Sequence, residues 1–128
     1  MENFADEFKN RTKSMAVEII KYAKNFPKNE EAYIIKKQLI RSATSVAANY
    51  RAVCRARSDA EFFSKLCIVV EEADETVFWL EIIKDAEIYN AELTNTLMLE
   101  ANEILKIMSK SHKTLKDKIE LKKNVIIN

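Results

Sequence analysis

Apolar residues recur along this chain at steps of three and four, in four separate runs. In the first, Phe4, Phe8, Met15, Ile19, Tyr22 and Phe26 share one face of a helix over about 4–25, which the lone proline, Pro27, brings to a stop. In the second, Ala32, Ile35, Leu39, Ala43, Val46, Tyr50 and Val53 predict a helix over about 30–57. A second row, Tyr33, Ile40, Ala47 and Cys54, repeats every seven residues. Two apolar rows on one helix imply two covered faces, the second by another subunit. In the third, Ser58 is a good N-cap and Glu61 completes a capping box. Phe62, Leu66, Val69, Ala73, Thr76, Leu80 and Ile83 then form the core row of a helix over about 59–85, flanked by Phe63, Cys67, Val70 and Val77. In the fourth, Leu93, Leu97, Ala101, Ile104, Met108 and Leu115 predict a helix over about 92–116, with a lysine-rich tail, 117–128, that frays.

Short connections between helices of similar length force antiparallel neighbours. The expected fold is therefore all-α: one domain, 1–128, built as an antiparallel up-down-up-down four-helix bundle. Composition supports this. Glycine is absent and proline occurs once, so the tight turns of a sheet protein have no residues to build them. A chain of 128 residues can bury about two thirds of its unfolded surface. No apolar run approaches the ~20 residues of a membrane span. The acidic start MENFADEF has no apolar signal core. Two cysteines are too few for a disulfide scaffold. The expected location is the cytoplasm, with no membrane association.

Formal net charge is only +1, yet charge is segregated. Between Ala32 and Ser58 stand Lys36, Lys37, Arg41, Arg51, Arg55 and Arg57 and no acid. Between Asp59 and Glu87 stand nine acids and two lysines. Most of this is expected to neutralise across the second and third helices. A hairpin turning at 57–58 brings Arg41 near Asp74 and Glu75 as a structural ion pair. Arg51, Arg55 and Arg57 crowd the end of the second helix with only Glu61 to offset them, and form the candidate nucleic-acid contact.

Catalytic chemistry finds little support. A di-iron bundle needs Glu-x-x-His on two helices, and the chain has one histidine, His112, with Ser109 three residues before it. Cys54, Cys67 and His112 have no zinc-ligand spacing. Both cysteines fall on flanking apolar rows and are expected to be small buried hydrophobes, and His112 a packing residue. The carboxylates Glu71, Glu72, Asp74 and Glu75 have no visible pocket, so a solvated or arginine-paired face is expected. No catalytic residue, cofactor, metal or small-molecule substrate is assigned.

The segment FPKNEEAYIIKKQLIRSATSVAANYRAVCRARSDAEFFSKLCIVVEEADETVFWLEII, Phe26 to Ile83, resembles a bacterial four-helix-bundle family. Its founding members are encoded in intervening sequences of 23S ribosomal RNA genes. The resemblance rests on Phe-Pro before an acidic helix start, Gln38 and Arg41, Ser45, Asn49, then Arg57-Ser58 with Glu61-Phe62. Tyr50-Arg51-Ala52 stands where many members carry Glu-Gly, which resembles the subgroup with an uninterrupted second helix. The resemblance implies a non-enzymatic homopentamer around a central channel. It also implies a possible RNA partner, or else a protein-interaction role such as that of the related accessory bundles of retroelement reverse transcriptases.

Overall fold

A computed structural model describes residues 3–127 of the chain. Four helices follow in order: α1 Phe4–Ala23, α2 Glu30–Val53, α3 Asp59–Asp85 and α4 Ala91–Ile127. Among the described residues there is no strand. Each helix packs chiefly on its neighbour in sequence, and α1 and α4 close the ring along a narrower seam. The protein is thus an all-α, antiparallel up-down-up-down four-helix bundle.

All four helix starts are capped by a side chain that accepts a backbone N–H, that of α4 by Asn90 Oδ1, which accepts from Leu93 N (3.0 Å). Asn3 Oδ1 accepts from Asp6 N (2.9 Å), Asn29 Oδ1 from Ala32 N (2.9 Å) and Ser58 Oγ from Glu61 N (3.1 Å). The Glu61 carboxylate reaches back to the N–H of Arg57 (3.3 Å), one residue before the cap. α3 ends without glycine. The N–H of Ile88 bonds the carbonyl of Ile83 (2.9 Å) and that of Glu87 the carbonyl of Lys84 (3.2 Å). This is a Schellman closure, with Glu87 in the left-handed region at φ 55°.

The core contains most of the residues the periodicity selects on the four helices, including Phe8, Ile19, Leu39, Val46, Leu66, Leu80 and Ile104. Four polar residues join it: Thr12, Ser42, Thr76 and Thr94. The Ser42 hydroxyl donates to the Leu39 carbonyl (3.1 Å) and accepts from Thr76 (3.0 Å) across α2 and α3. Tyr22 and Thr94 share a short hydroxyl–hydroxyl bond across α1 and α4. Thr94 also donates to the Asn90 carbonyl in its own first turn (2.7 Å). Among the described residues no buried side-chain nitrogen or oxygen lacks a partner.

Several boundaries differ from expectation. α2 ends at Val53 rather than near 57. The N–H groups of Arg55 and Ala56 bond carbonyls three residues back, Ala52 and Val53, so the last turn tightens and leaves the helix. α4 does not stop near 116 but continues to Ile127, with Asn128 outside the described residues. No proline or glycine interrupts it, and Lys122 Nζ lies 3.4 Å from Asp59 at the start of α3. Leu93, expected in the core, is exposed, and Thr94 takes the inward position. Phe4 and Phe62, also expected inside, are exposed at the end of the bundle where α2 turns into α3.

Candidate functional site

Arg41 sits on the flank of α2 that faces α3. Its guanidinium reaches Glu72 (3.1 Å) and, by a shorter bond, Glu75. Asp74 is not its partner. It stands about 100° around α3 from Glu75, out in solvent, whereas Glu72 and Glu75, three apart, share the flank that faces α2. Gln38 accepts from Arg41 Nε (3.3 Å), and Trp79 Nε1 donates to Glu75 (3.2 Å). The hydrogen bond from Arg41, with a smaller one from Trp79, holds the Glu75 carboxyl below its usual range. All three guanidinium nitrogens of Arg41 are thereby engaged within the fold. On α2, about two turns further, Asn49 Nδ2 donates to the carbonyl and the hydroxyl of Ser45, both at 2.9 Å.

The three remaining arginines are arranged differently. Arg51 is in the last turn of α2, Arg55 in the turn that follows and Arg57 just before the α3 cap. They line one open recess of about 390 Å³ with Ala48, Ala52 and Glu61. Glu61 is the one acid in that lining, and its carboxylate is bound to a backbone N–H of the turn. Arg51 also lines a second recess, of about 460 Å³, between α1 and α2. There Ala16, Val17, Ile20, Ala47 and Ala48 make an apolar floor, and Lys9, Lys13 and Arg51 stand at the rim. Lys9 is in loose contact with Asp6 (3.7 Å). Sharing Ala48 and Arg51, the two recesses form one basic track from the outer face of α1 to the α2–α3 turn.

Sequence reasoning found the arginines of this track and missed its lysines. The signal was present. Lys9 and Lys13 are four apart, hence on one face of α1. A hairpin turning near Pro27 sets them level with the second half of α2.

Cys54 and Cys67 are both free thiols. Neither is fully buried, contrary to expectation: Cys54, the C-cap residue of α2, is exposed at the end of the bundle near Phe4 and Phe62, and Cys67 is half-buried between α3 and α4. Cys67 Sγ lies 3.1 Å from His112 Nε2, and the His112 ring stacks on Phe63. Among the described residues no three His, Cys, Asp or Glu side chains are grouped to hold a metal ion. No helix there is long and apolar enough to cross a membrane.

The model of the 23S rRNA-intervening sequence proteins matches residues 7–110, which takes in most of all four helices. The chain belongs to that family. Among solved structures it is similar to a protein with unknown function from the S23 ribosomal protein family of Bacteroides thetaiotaomicron VPI-5482. The two are 31% identical, the match covers 85% of this chain and 97% of that one, and the TM-score is 0.77. No curated protein matches the chain.

Proposed function

We propose that this member of the 23S rRNA-intervening sequence family is a non-enzymatic, cytoplasmic binding protein whose ligand is RNA, held by its phosphate backbone along the α1/α2 track. The observation that carries this reading is the line of cations Lys9, Lys13, Arg51, Arg55 and Arg57 on two joined recesses, with Glu61 the one acid in the lining and Asp6 in loose contact with Lys9. Elsewhere cations of the same helices are consumed in the fold, as Arg41 and Arg11 are by α3 and α4 carboxylates. The track has no aromatic platform among its lining residues, which favours backbone contact over base reading. Binding is then weakly sequence-specific and steeply salt-dependent. The test is a fluorescence-polarisation titration of single-stranded RNA at two salt concentrations. We expect Arg51→Gln/Arg55→Gln/Arg57→Gln to weaken binding and flatten the salt slope by roughly two, for three lost phosphate contacts per protomer. Equal affinity of variant and wild type would remove the track from consideration.

The same reading takes the protein as a homo-oligomer, with the pentamer of the family resemblance as the expected number. Tyr33, Ile34 and Phe78 are large, apolar and exposed, and so is Leu99 at 76%. Such residues in numbers favour contact with another protein surface. A ring would repeat the basic track and add weak single contacts by multivalency. Native mass spectrometry reads the number directly, and a monomer at micromolar concentration removes this part of the proposal. If RNA binding fails while assembly holds, these same side chains favour a protein-interaction module, such as an accessory factor of a mobile element.

A further inference from the structure

The α3–α4 seam holds a pairing that the binding reading does not use. Cys67 Sγ and His112 Nε2 are 3.1 Å apart, within hydrogen-bond reach. Phe63 stacks on the imidazole, centroids 4.8 Å apart with 24° between the planes. A stacked ring is fixed in its plane, so its edge nitrogen is held toward the sulfur rather than sweeping past it. A nucleophile, a base in contact with it and a third group orienting the base make up the arrangement that activates thiols. Cys54 has no such neighbour: it stands exposed beside the Tyr50 hydroxyl, whose ionisation burial opposes. Cys67 is half-buried between two helices, so only a small reagent reaches it.

We propose that Cys67 is a modification site for small hydroperoxides, with His112 as the proton acceptor. In this step the sulfur attacks one peroxide oxygen, an S–O bond forms and the O–O bond breaks. His112 takes the thiol proton and passes it to the departing oxygen, which leaves as water from hydrogen peroxide or as an alcohol from an organic hydroperoxide. Cys67 is oxidised to a sulfenic acid by two electrons and the peroxide is reduced. The sulfur then carries an added oxygen within the α3–α4 seam.

The experiment exposes the full-length protein to hydrogen peroxide with dimedone present and follows each cysteine by peptide mass spectrometry. In wild type we expect Cys67 to be trapped about tenfold faster than Cys54 or more, despite its lower exposure. Two variants, His112→Gln and His112→Phe, should each slow Cys67 by about tenfold and leave Cys54 unchanged. The phenylalanine variant keeps a ring to stack on Phe63, which guards against loss of packing, and circular dichroism confirms that each variant folds. The sign of the change separates the two roles. Loss of a base slows Cys67, whereas loosened packing opens the seam and accelerates it. Cys54 reacting as fast as Cys67 in wild type, or Cys67 unchanged or accelerated in both variants, would overturn the proposal.

Discussion

Glu87 is the residue most clearly out of keeping with its own chemistry. It occupies the left-handed region at the end of α3, where a Cβ crowds the backbone and glycine is the usual choice. This chain has no glycine to offer. The Schellman bonds and the packing of Ile88 on the core hold the turn regardless. We expect Glu87→Gly to stabilise the protein by about 0.5–1 kcal/mol, the relief being partly offset by a freer unfolded chain. Thermal denaturation would read this as an increase of a few degrees, and an unchanged or lower midpoint would mean that the turn carries no strain. The Arg41 pair makes a second residue-scale prediction. Glu75 ionises more readily in the folded state, mainly because Arg41 donates to it. Its contribution is therefore whole above the ordinary carboxylate value of about 4.3 and is lost as pH falls through the lowered one. Both side chains are partly in solvent, so the pair contributes about 1 kcal/mol or less. Arg41→Met should be less stable than wild type near pH 7 and indistinguishable from it near pH 2, by urea unfolding at each pH. A gap that persists at low pH would trace the effect to packing of the arginine stem.

At the scale of the helices, periodicity carried the prediction far on α2 and α3. Leu39, Ala43, Val46, Leu66, Val69 and Leu80 are buried where the steps of three and four put them. α4 was less legible because an apolar count favours Leu93 over its neighbour Thr94. The hydroxyl of Tyr22, on a helix more than seventy residues away, makes Thr94 the better inward residue. That partner is set by tertiary structure and leaves no local trace. The end of α2 was misread for a similar reason: helix-forming residues continue past Val53, but the cap at Ser58 claims the chain first. Asp74 and Glu72 exchanged roles because hairpin arithmetic fixes the level along a helix and not the angle around it. The basic track was half legible, since one helix's cations show as a run and two helices' cations show only once packed. For the α1/α4 contact we expect Tyr22→Phe to cost about 1 kcal/mol. Thr94 keeps its bond to Asn90, so nothing buried is left unsatisfied. A loss above about 3 kcal/mol in chemical denaturation would show that the hydroxyl pair organises more than itself. Burial also raises the Tyr22 pKa, against the opposing hydrogen bond from Thr94. Wild type should thus lose stability above about pH 10, where the unfolded chain's phenol ionises first, and Tyr22→Phe should lose less.

For the molecule as a whole, three of the four helix seams join neighbours in sequence through short connections, and the fourth does not. Only α1 and α4 meet from opposite ends of the chain, along the narrowest seam. Arg11 spans that seam with a two-pronged bond to Glu100, Nε to Oε2 at 2.9 Å and Nη2 to Oε1 at 2.6 Å. This closure has a kinetic meaning. Contacts between sequence neighbours form early because little chain must be ordered to make them, so a bundle of successive hairpins folds quickly. A clasp across 89 residues is best placed to form last. Interactions absent from the transition state act on the way out rather than on the way in. Arg11→Met should therefore leave the refolding rate nearly unchanged and speed unfolding, seen in stopped-flow chevrons as a lifted right-hand arm alone. A fall in the refolding arm would instead put the α1/α4 seam in the folding nucleus. In the native state α1 should be the first helix to open and the α2/α3 hairpin the last, an order that amide hydrogen exchange resolves helix by helix. With that order of opening, the line of cations between α1 and α2 would lie on the hinge of the motion. A polyanion bridging both sides of that hinge would slow the opening, and the exchange of α1 amides would report its presence.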